Sequence, residues 1–175
     1  VSLLEKLPTM FATNRNAEAA FGPAVQTAIT LLNPTGGKVL TSLASCPSVG
    51  EGRLKNREDP KLFHHAKEHT MTLPATEWYK DRALAASHAH VSFDLIVAAP
   101  NPIDVASVAP LPRYTGGHVV HATTANKAAL HRDVTRCVTR TLGFEAVFRI
   151  RNPPQLGTIN FFGHFYVRGN DMLAL

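Results

Sequence analysis

Three histidines, His64, His65 and His69, stand close enough to put two imidazoles one helical turn apart around a zinc ion. No third ligand follows at a zinc-site spacing and His-Glu-x-x-His is absent, so the stretch reads as a solvated, histidine-rich loop. Thr35-Gly-Gly-Lys38 suggests a phosphate loop, but a Walker A pattern ending there needs glycine at position 32 and Ser or Thr at 39, where Leu32 and Val39 stand. Gly50-Glu51-Gly52 lacks the third glycine and the helix start of a dinucleotide fingerprint. No serine sits in Gly-x-Ser-x-Gly, and neither Cys46 nor Cys137 has an activating partner in sequence. The residues therefore give nucleophilic catalysis no support. An Asp-x-Ser-x-Ser metal-adhesion motif is absent as well.

What remains is recognition by charge. Arg53, Lys55 and Arg57 lie in a loop where one or two cations could grip a carboxylate, arginine bidentately. Across that loop Arg53, Lys55, Arg57, Lys61 and Lys67 are offset by Glu51, Glu58, Asp59 and Glu68, which leaves it nearly neutral. Binding to a nucleic acid backbone needs several uncompensated cations, so the net charge of +5 does not make this a nucleic-acid protein. Arg132, Arg136 and Arg140 form the one basic stripe with little acid on its face, Asp133 excepted. That stripe suits a solvent-facing helix side, or contact with anionic headgroups or an acidic partner.

Elements must carry these residues. At 45% hydrophobic and 18% charged, the composition is that of a globular chain, neither disordered nor membrane-spanning. A length of 175 residues is enough to bury roughly 70% of the unfolded surface. Two cysteines are too few for a disulfide framework and read as reduced thiols. The chain begins at Val1 rather than Met and stops straight after a strand, which reads as an excerpt of a longer protein. Ser2 to Ala12 has helical spacing interrupted by Pro8. Phe21, Ala24, Val25, Ala28, Ile29 and Leu32 mark one helix face, and Gly36-Gly37 turns the chain into a strand over Lys38 to Ala44. Cys46 to Ala75 is about thirty residues without apolar period, either functional or disordered. Thr76 caps a helix with Trp78, Tyr79, Ala83, Leu84 and Ala86 inward, followed by a buried strand over Val91 to Ala99, in which Asp94 needs a partner. A short helix over Pro102 to Leu111, opened by Pro and closed by Pro110-Leu-Pro112, precedes a strand over His118 to Ala122. A helix over Ala125 to Leu142 follows, with Leu130, Val134, Cys137, Val138 and Thr141 on one face and Gly143 as its C-cap.

Helix and strand thus alternate through residue 142, which predicts an α/β domain with a mostly parallel, doubly wound sheet and right-handed crossovers over residues 1–142. From Gly143 the rule changes. Phe144, Ala146, Phe148 and Ile150 alternate with Glu145, Val147, Arg149 and Arg151, a period of two. Arg149 and Arg151 share one strand face and organise a sheet interface. A second strand over Thr158 to Arg168, after the Asn152-Pro-Pro154 turn, completes an antiparallel pair belonging to a different sheet over residues 143–175.

Phe-Glu-Ala-Val-Phe-Arg-Ile-Arg at Phe144 to Arg151, Phe-Phe-Gly-His-Phe-Tyr-Val-Arg at Phe161 to Arg168 and Asp-Met-Leu-Ala-Leu at Asp171 to Leu175 resemble the cargo-adaptor subunit of the COPII inner coat, the Sec twenty-four family. The likeness runs back through Ala20-Phe-Gly-Pro-Ala24, Gly36-Gly-Lys38, Gly-Arg-Leu-Lys-Asn-Arg-Glu-Asp at Gly52 to Asp59, Phe-Asp-Leu at Phe93 to Leu95, Asp-Val-Ala-Ser-Val at Asp104 to Val108, and Tyr-Thr-Gly-Gly at Tyr114 to Gly117. The related coat subunit shares this architecture, and the Arg-Leu-Lys-Asn-Arg-Glu-Asp loop favours the adaptor.

The resemblance implies a partial von Willebrand A-like trunk followed by the first strands of a β-sandwich. It implies a non-enzymatic adaptor of ER-to-Golgi vesicle transport, cytoplasmic and peripheral on the endoplasmic reticulum membrane. Its partners would be a GTPase-activating coat subunit in a heterodimer, a small coat GTPase, an anionic membrane surface, and cargo sorting signals, those of SNARE proteins included. No cofactor is expected in these residues; a structural zinc site is expected elsewhere in the full-length chain. Carried over residue by residue, the cargo-signal candidates are Arg53, Lys55, Arg57, Val108 and Leu111, and charge reversal at Arg57 is expected to weaken an acidic signal without unfolding the domain. This chain has Ala109-Pro110-Leu111-Pro112 where the family pattern has an unbroken apolar helix end. The alternative is an integrin-like, metal-dependent protein-binding domain.

Overall fold

The computed structural model describes residues 2–57, 61, 63–122, 127–143, 146–169 and 172–174. Helix α1 (Ser2–Met10) buries no residue. Helix α2 (Phe21–Leu32) takes Pro23 in its first turn and buries Phe21, Val25 and Ile29, four residues apart on one stripe. Gly36, at φ 63°, donates its amide to the Leu32 carbonyl and turns the chain into strand β1 (Gly37–Leu43). After the long loop come α3 (Trp78–His88) and β2 (Val91–Val97). Thr76 Oγ1 accepts from the Trp78 amide at 3.2 Å, but the cap position itself is Glu77, whose side chain makes no capping bond.

The single expected helix over Pro102 to Leu111 is two: α4 (Val105–Val108) and α5 (Pro110–Tyr114). Asp104 caps the first through the Ser107 amide. Pro110 opens the second rather than closing the first, because a proline at the first helical position sacrifices no hydrogen bond. Strand β3 (Val119–His121) and α6 (Lys127–Thr139) follow. Ala125 and Asn126, expected in that helix, lie outside the described residues.

The first sheet has the order β1-β2-β3, all parallel, with Gly37 opposite Val91 and Leu95 opposite Val119. The central strand is buried on both faces, which is why it reads as an apolar run. Phe93, Leu95 and Val97 join α2, α3 and α5 residues in the core, together with Tyr79, Ala83 and Ala86 from α3. Against the opposite face lies α6, whose Cys137 carbonyl accepts from Lys38 Nζ at 3.2 Å. Helices therefore cover both faces, as the alternating pattern predicts. On α6, however, Val138 is exposed: it stands at the edge of the apolar stripe, beyond the reach of the sheet. Gly143 is no C-cap either, since the helix ends at Thr139, four residues earlier.

The second sheet is antiparallel, as expected, but its pairing differs. The order is β4-β6-β5, formed by β4 (Val147–Arg149), β5 (Tyr166–Gly169) and β6 (Met172–Ala174), so the two expected strands are separated by a third. Both are shorter than their period suggests; residues 158–165 are not strand. Phe148 is half exposed where the alternation puts it inward. Phe144, Glu145, Asp171 and Leu175 lie outside the described residues.

Candidate functional site

The long loop is anchored by its own backbone and by apolar contact. Ala19 and Pro47 form a parallel bridge, the Leu54 amide donates to the Pro47 carbonyl at 2.7 Å, and the Leu54 side chain is buried in the core. Tyr79 Oη donates to the Gly52 carbonyl at 2.7 Å. Burial, then the nearby Cys46, raises the Tyr79 phenol well above its ordinary value, so it stays a donor. A 3-10 turn, Glu68–Thr72, brings the loop back toward α3.

Arg57 ends the first part of this loop and faces Asp104. Its Nε donates to Asp104 Oδ2 at 2.8 Å and its Nη2 lies 2.7 Å from the same oxygen; Nη2 also donates to the Leu73 carbonyl at 2.8 Å, and Nη1 to that of Thr70 at 3.4 Å. Asp104 in turn accepts from the Ser107 amide at 3.2 Å and from Ser107 Oγ at 2.7 Å, while Ser107 Oγ accepts from the Ala75 amide at 2.7 Å. One nearly buried carboxylate thus fastens three stretches distant in sequence. Charge-assisted hydrogen bonds of this kind are short and about twice as strong as neutral ones.

These stretches enclose a cleft of about 340 Å³ lined by Asn56 and Arg57, Met71 and Thr72, and Pro102 through Ala106. Its walls are mostly aliphatic, with the Arg57 guanidinium at one side. Cys46 lies near Asp104. Burial pushes its thiol above the ordinary value, a backbone hydrogen bond from Asp104 opposes this, and the Asp104 charge adds to it. The protonated thiol is not a nucleophile at neutral pH.

Of the residues expected from sequence, Arg57 reaches the cleft, yet its charge is already matched by Asp104. Arg53 and Lys55 are exposed on the strand of loop leading to it, outside its lining. Val108 and Leu111 are 0% exposed and belong to the core beneath, so as they stand they offer a ligand no surface. The physical reason is the break at Pro110: the second helix turns Leu111 inward. Arg132 and Arg136 are exposed on α6, Arg132 beside Asp133 at 3.3 Å, whereas Arg140 lies past the helix end against His118. Ile103, Asp104, Val105, Met71 and Thr72 were not foreseen as lining residues. Asp104 alone had a local signal, an Asp three residues before Ser107 at the start of a short helix. Among the described residues no group of three or more His, Cys, Asp and Glu side chains is arranged to hold a metal ion. No helix of the described residues is long and apolar enough to cross a membrane.

A parallel sheet covered by helices on both faces, with a loop-built cleft at its side and an antiparallel sheet following it, is a von Willebrand A-like arrangement with a β-domain attached. The Sec23/Sec24 trunk domain matches residues 1–138, and the chain belongs to that family. Its relatives include protein transport protein Sec24B of Homo sapiens, 38% identical, and protein transport protein sec24 of Schizosaccharomyces pombe, 35% identical. Each alignment covers 99% of this chain, but only 14% and 19% of those proteins. The chain is also similar to the crystal structure of the human COPII-coat protein Sec24c, with a TM-score of 0.90 and 32% identity over 99% of this chain and 24% of that one.

Proposed function

We propose that this chain is the trunk portion of a COPII coat subunit of the Sec24 type, a non-enzymatic adaptor that reads sorting signals on cargo, SNARE proteins included. The observation that carries the reading is the similarity to Sec24 proteins over 99% of the chain together with the shared fold. In the same reading the longer protein pairs with a GTPase-activating coat subunit and a small coat GTPase on the cytoplasmic face of the endoplasmic reticulum membrane. The exposed Arg132 and Arg136 would then meet an anionic surface or an acidic partner.

The cleft beside Arg57 suits a short peptide that buries an apolar side chain between Met71, Ile103 and Val105. Because Asp104 already neutralises Arg57, we assign the attraction of an acidic signal to the exposed Arg53 and Lys55, and keep Arg57 as the cleft's edge. A fluorescent acidic-and-apolar peptide titrated against the full-length protein tests this. Met71→Glu, on an accessible turn, is expected to weaken binding at least about tenfold, and Lys55→Glu to weaken it most at low salt. Unchanged affinity in both variants, with unchanged melting temperature, moves the signal site elsewhere.

A further inference from the structure

Where the segment preceding β5 meets the parallel sheet, a group of charged and titratable side chains gathers that the cleft does not use. His164 Nδ1 donates to the Gly117 carbonyl at 2.9 Å, and its ring centroid lies 6.1 Å from that of His118. A second contact lies nearby, with His88 of α3 against Tyr166 at 6.3 Å. The Gly117 backbone is fixed: a Cβ there would stand 1.7 Å from the Phe93 carbonyl oxygen. The next amide, His118, donates to Asp94 Oδ1 at 2.8 Å. Arg140, just past α6, sets Nη1 against the His118 ring, 3.0 Å from Nδ1 and 3.1 Å from Nε2.

That last contact favours the neutral ring. An imidazolium has no acceptor nitrogen and, at this distance, its charge repels the guanidinium. Lys38 from β1 adds a further cation, and its partner Asp94 from β2 is the one carboxylate in the group. Asp94 is already committed to Lys38 and to the His118 amide, with its Oδ1 3.9 Å from His118 Nδ1. Cys137 of α6 lies alongside, its thiol raised by burial and then by Asp94.

We propose that His118 is the proton-sensitive member of a clasp, formed with Arg140 and His164, that holds the segment carrying β5 against the parallel sheet. With His118 neutral, Arg140 rests against its ring and His164 packs on it. On protonation the two cations repel, Arg140 draws back, and the His118 ring, half exposed already, swings toward water. The ring contact with His164 is lost, leaving the Gly117 hydrogen bond and the His88–Tyr166 contact. The clasp loosens without releasing the segment.

Burial, then Arg140, lowers the affinity of His118 for protons in the closed state; Asp94 opposes this, and His164 and Lys38 add to it. The opened state binds the proton more tightly, so closure is strongest above the ordinary histidine value and is lost as the pH falls through the range below it. For one proton the open fraction rises at most about tenfold per pH unit below about pH 6.5.

Hydrogen exchange of peptides covering 161–169 in the full-length protein, from pH 5.5 to 8.0 and scaled for the intrinsic chemical rate, tests the clasp. Protection is expected to hold above about pH 6.5 and to fall below it. His118→Gln, which keeps an acceptor for Arg140 but cannot titrate, is expected to remove the dependence. Constant protection in the natural protein, or a parallel loss in His118→Gln, overturns the proposal. Should that variant fold poorly, deuterium uptake at the histidine C2 positions of the natural protein gives the His118 titration directly. A midpoint that coincides with the loss of protection supports the clasp, and one that does not overturns it.

Discussion

At the scale of single residues, the side chains with most consequence are two aspartates, Asp94 buried and Asp104 nearly so, each in a different setting. Asp94, 1% exposed at the centre of β2, is balanced by Lys38 from the neighbouring strand. Removing one partner of such a pair leaves an uncompensated buried charge, at about 3–5 kcal/mol. Lys38→Met is therefore expected to lower the urea midpoint sharply, and adding Asp94→Leu to recover part of the loss. A Lys38→Met midpoint within error of the natural protein would remove the pair from the account. The need for a partner at Asp94 was legible in the sequence, because a carboxylate inside an apolar strand is unfavourable alone. The identity of that partner was not, since Lys38 is 56 residues away and becomes adjacent only through the parallel register of Leu40 against Asp94. Arg57 and Asp104 illustrate the same limit: both were singled out, as parts of separate stretches, and nothing in either stretch says they meet.

At the scale of elements, periodicity identified α2, α3, β1, β2 and most of α6, where one face must meet a sheet. It failed where a face has a weaker claim on the core. Val138 extends the α6 stripe in sequence but stays in solvent, and the alternation around Phe148 yields only three residues of strand. Pairing failed for another reason: β6 takes the central place between β4 and β5, a choice set by tertiary contact rather than by local pattern. The exposed side of α6 carries a prediction of its own. Arg132→Glu with Arg136→Glu touches no core contact, so stability should stay within about 0.5 kcal/mol. Co-sedimentation with phosphatidylserine vesicles should fall, most clearly at low salt. Unaltered sedimentation would assign those arginines to plain solvation.

At the scale of the molecule, apolar surface is left without cover. Leu3, Leu4 and Met10 of α1 are largely exposed, and Ile159 and Phe162 are 92% and 90% exposed. Large apolar side chains exposed to this degree are candidates for contact with other protein, and the chain spans 14% and 20% of the length of two of the curated relatives it matches. The 175-residue chain alone is expected to enhance the fluorescence of an apolar dye such as ANS several-fold more per unit mass than the full-length protein. Equal enhancement would mean that these surfaces stay open in the longer chain.

The Asp104 knot separates the residues that hold the cleft together from those that line its opening. Arg57, Asp104 and Ser107 direct their hydrogen bonds to one another and to backbone, whereas Met71 and Thr72 line the opening from the 3-10 turn and take no part in the knot. A lineage that keeps the knot is free to rewrite the reading surface, one side chain at a time, without renegotiating the fold. If the cleft is the signal site proposed above, a change of signal preference requires few substitutions, concentrated at the 3-10 turn.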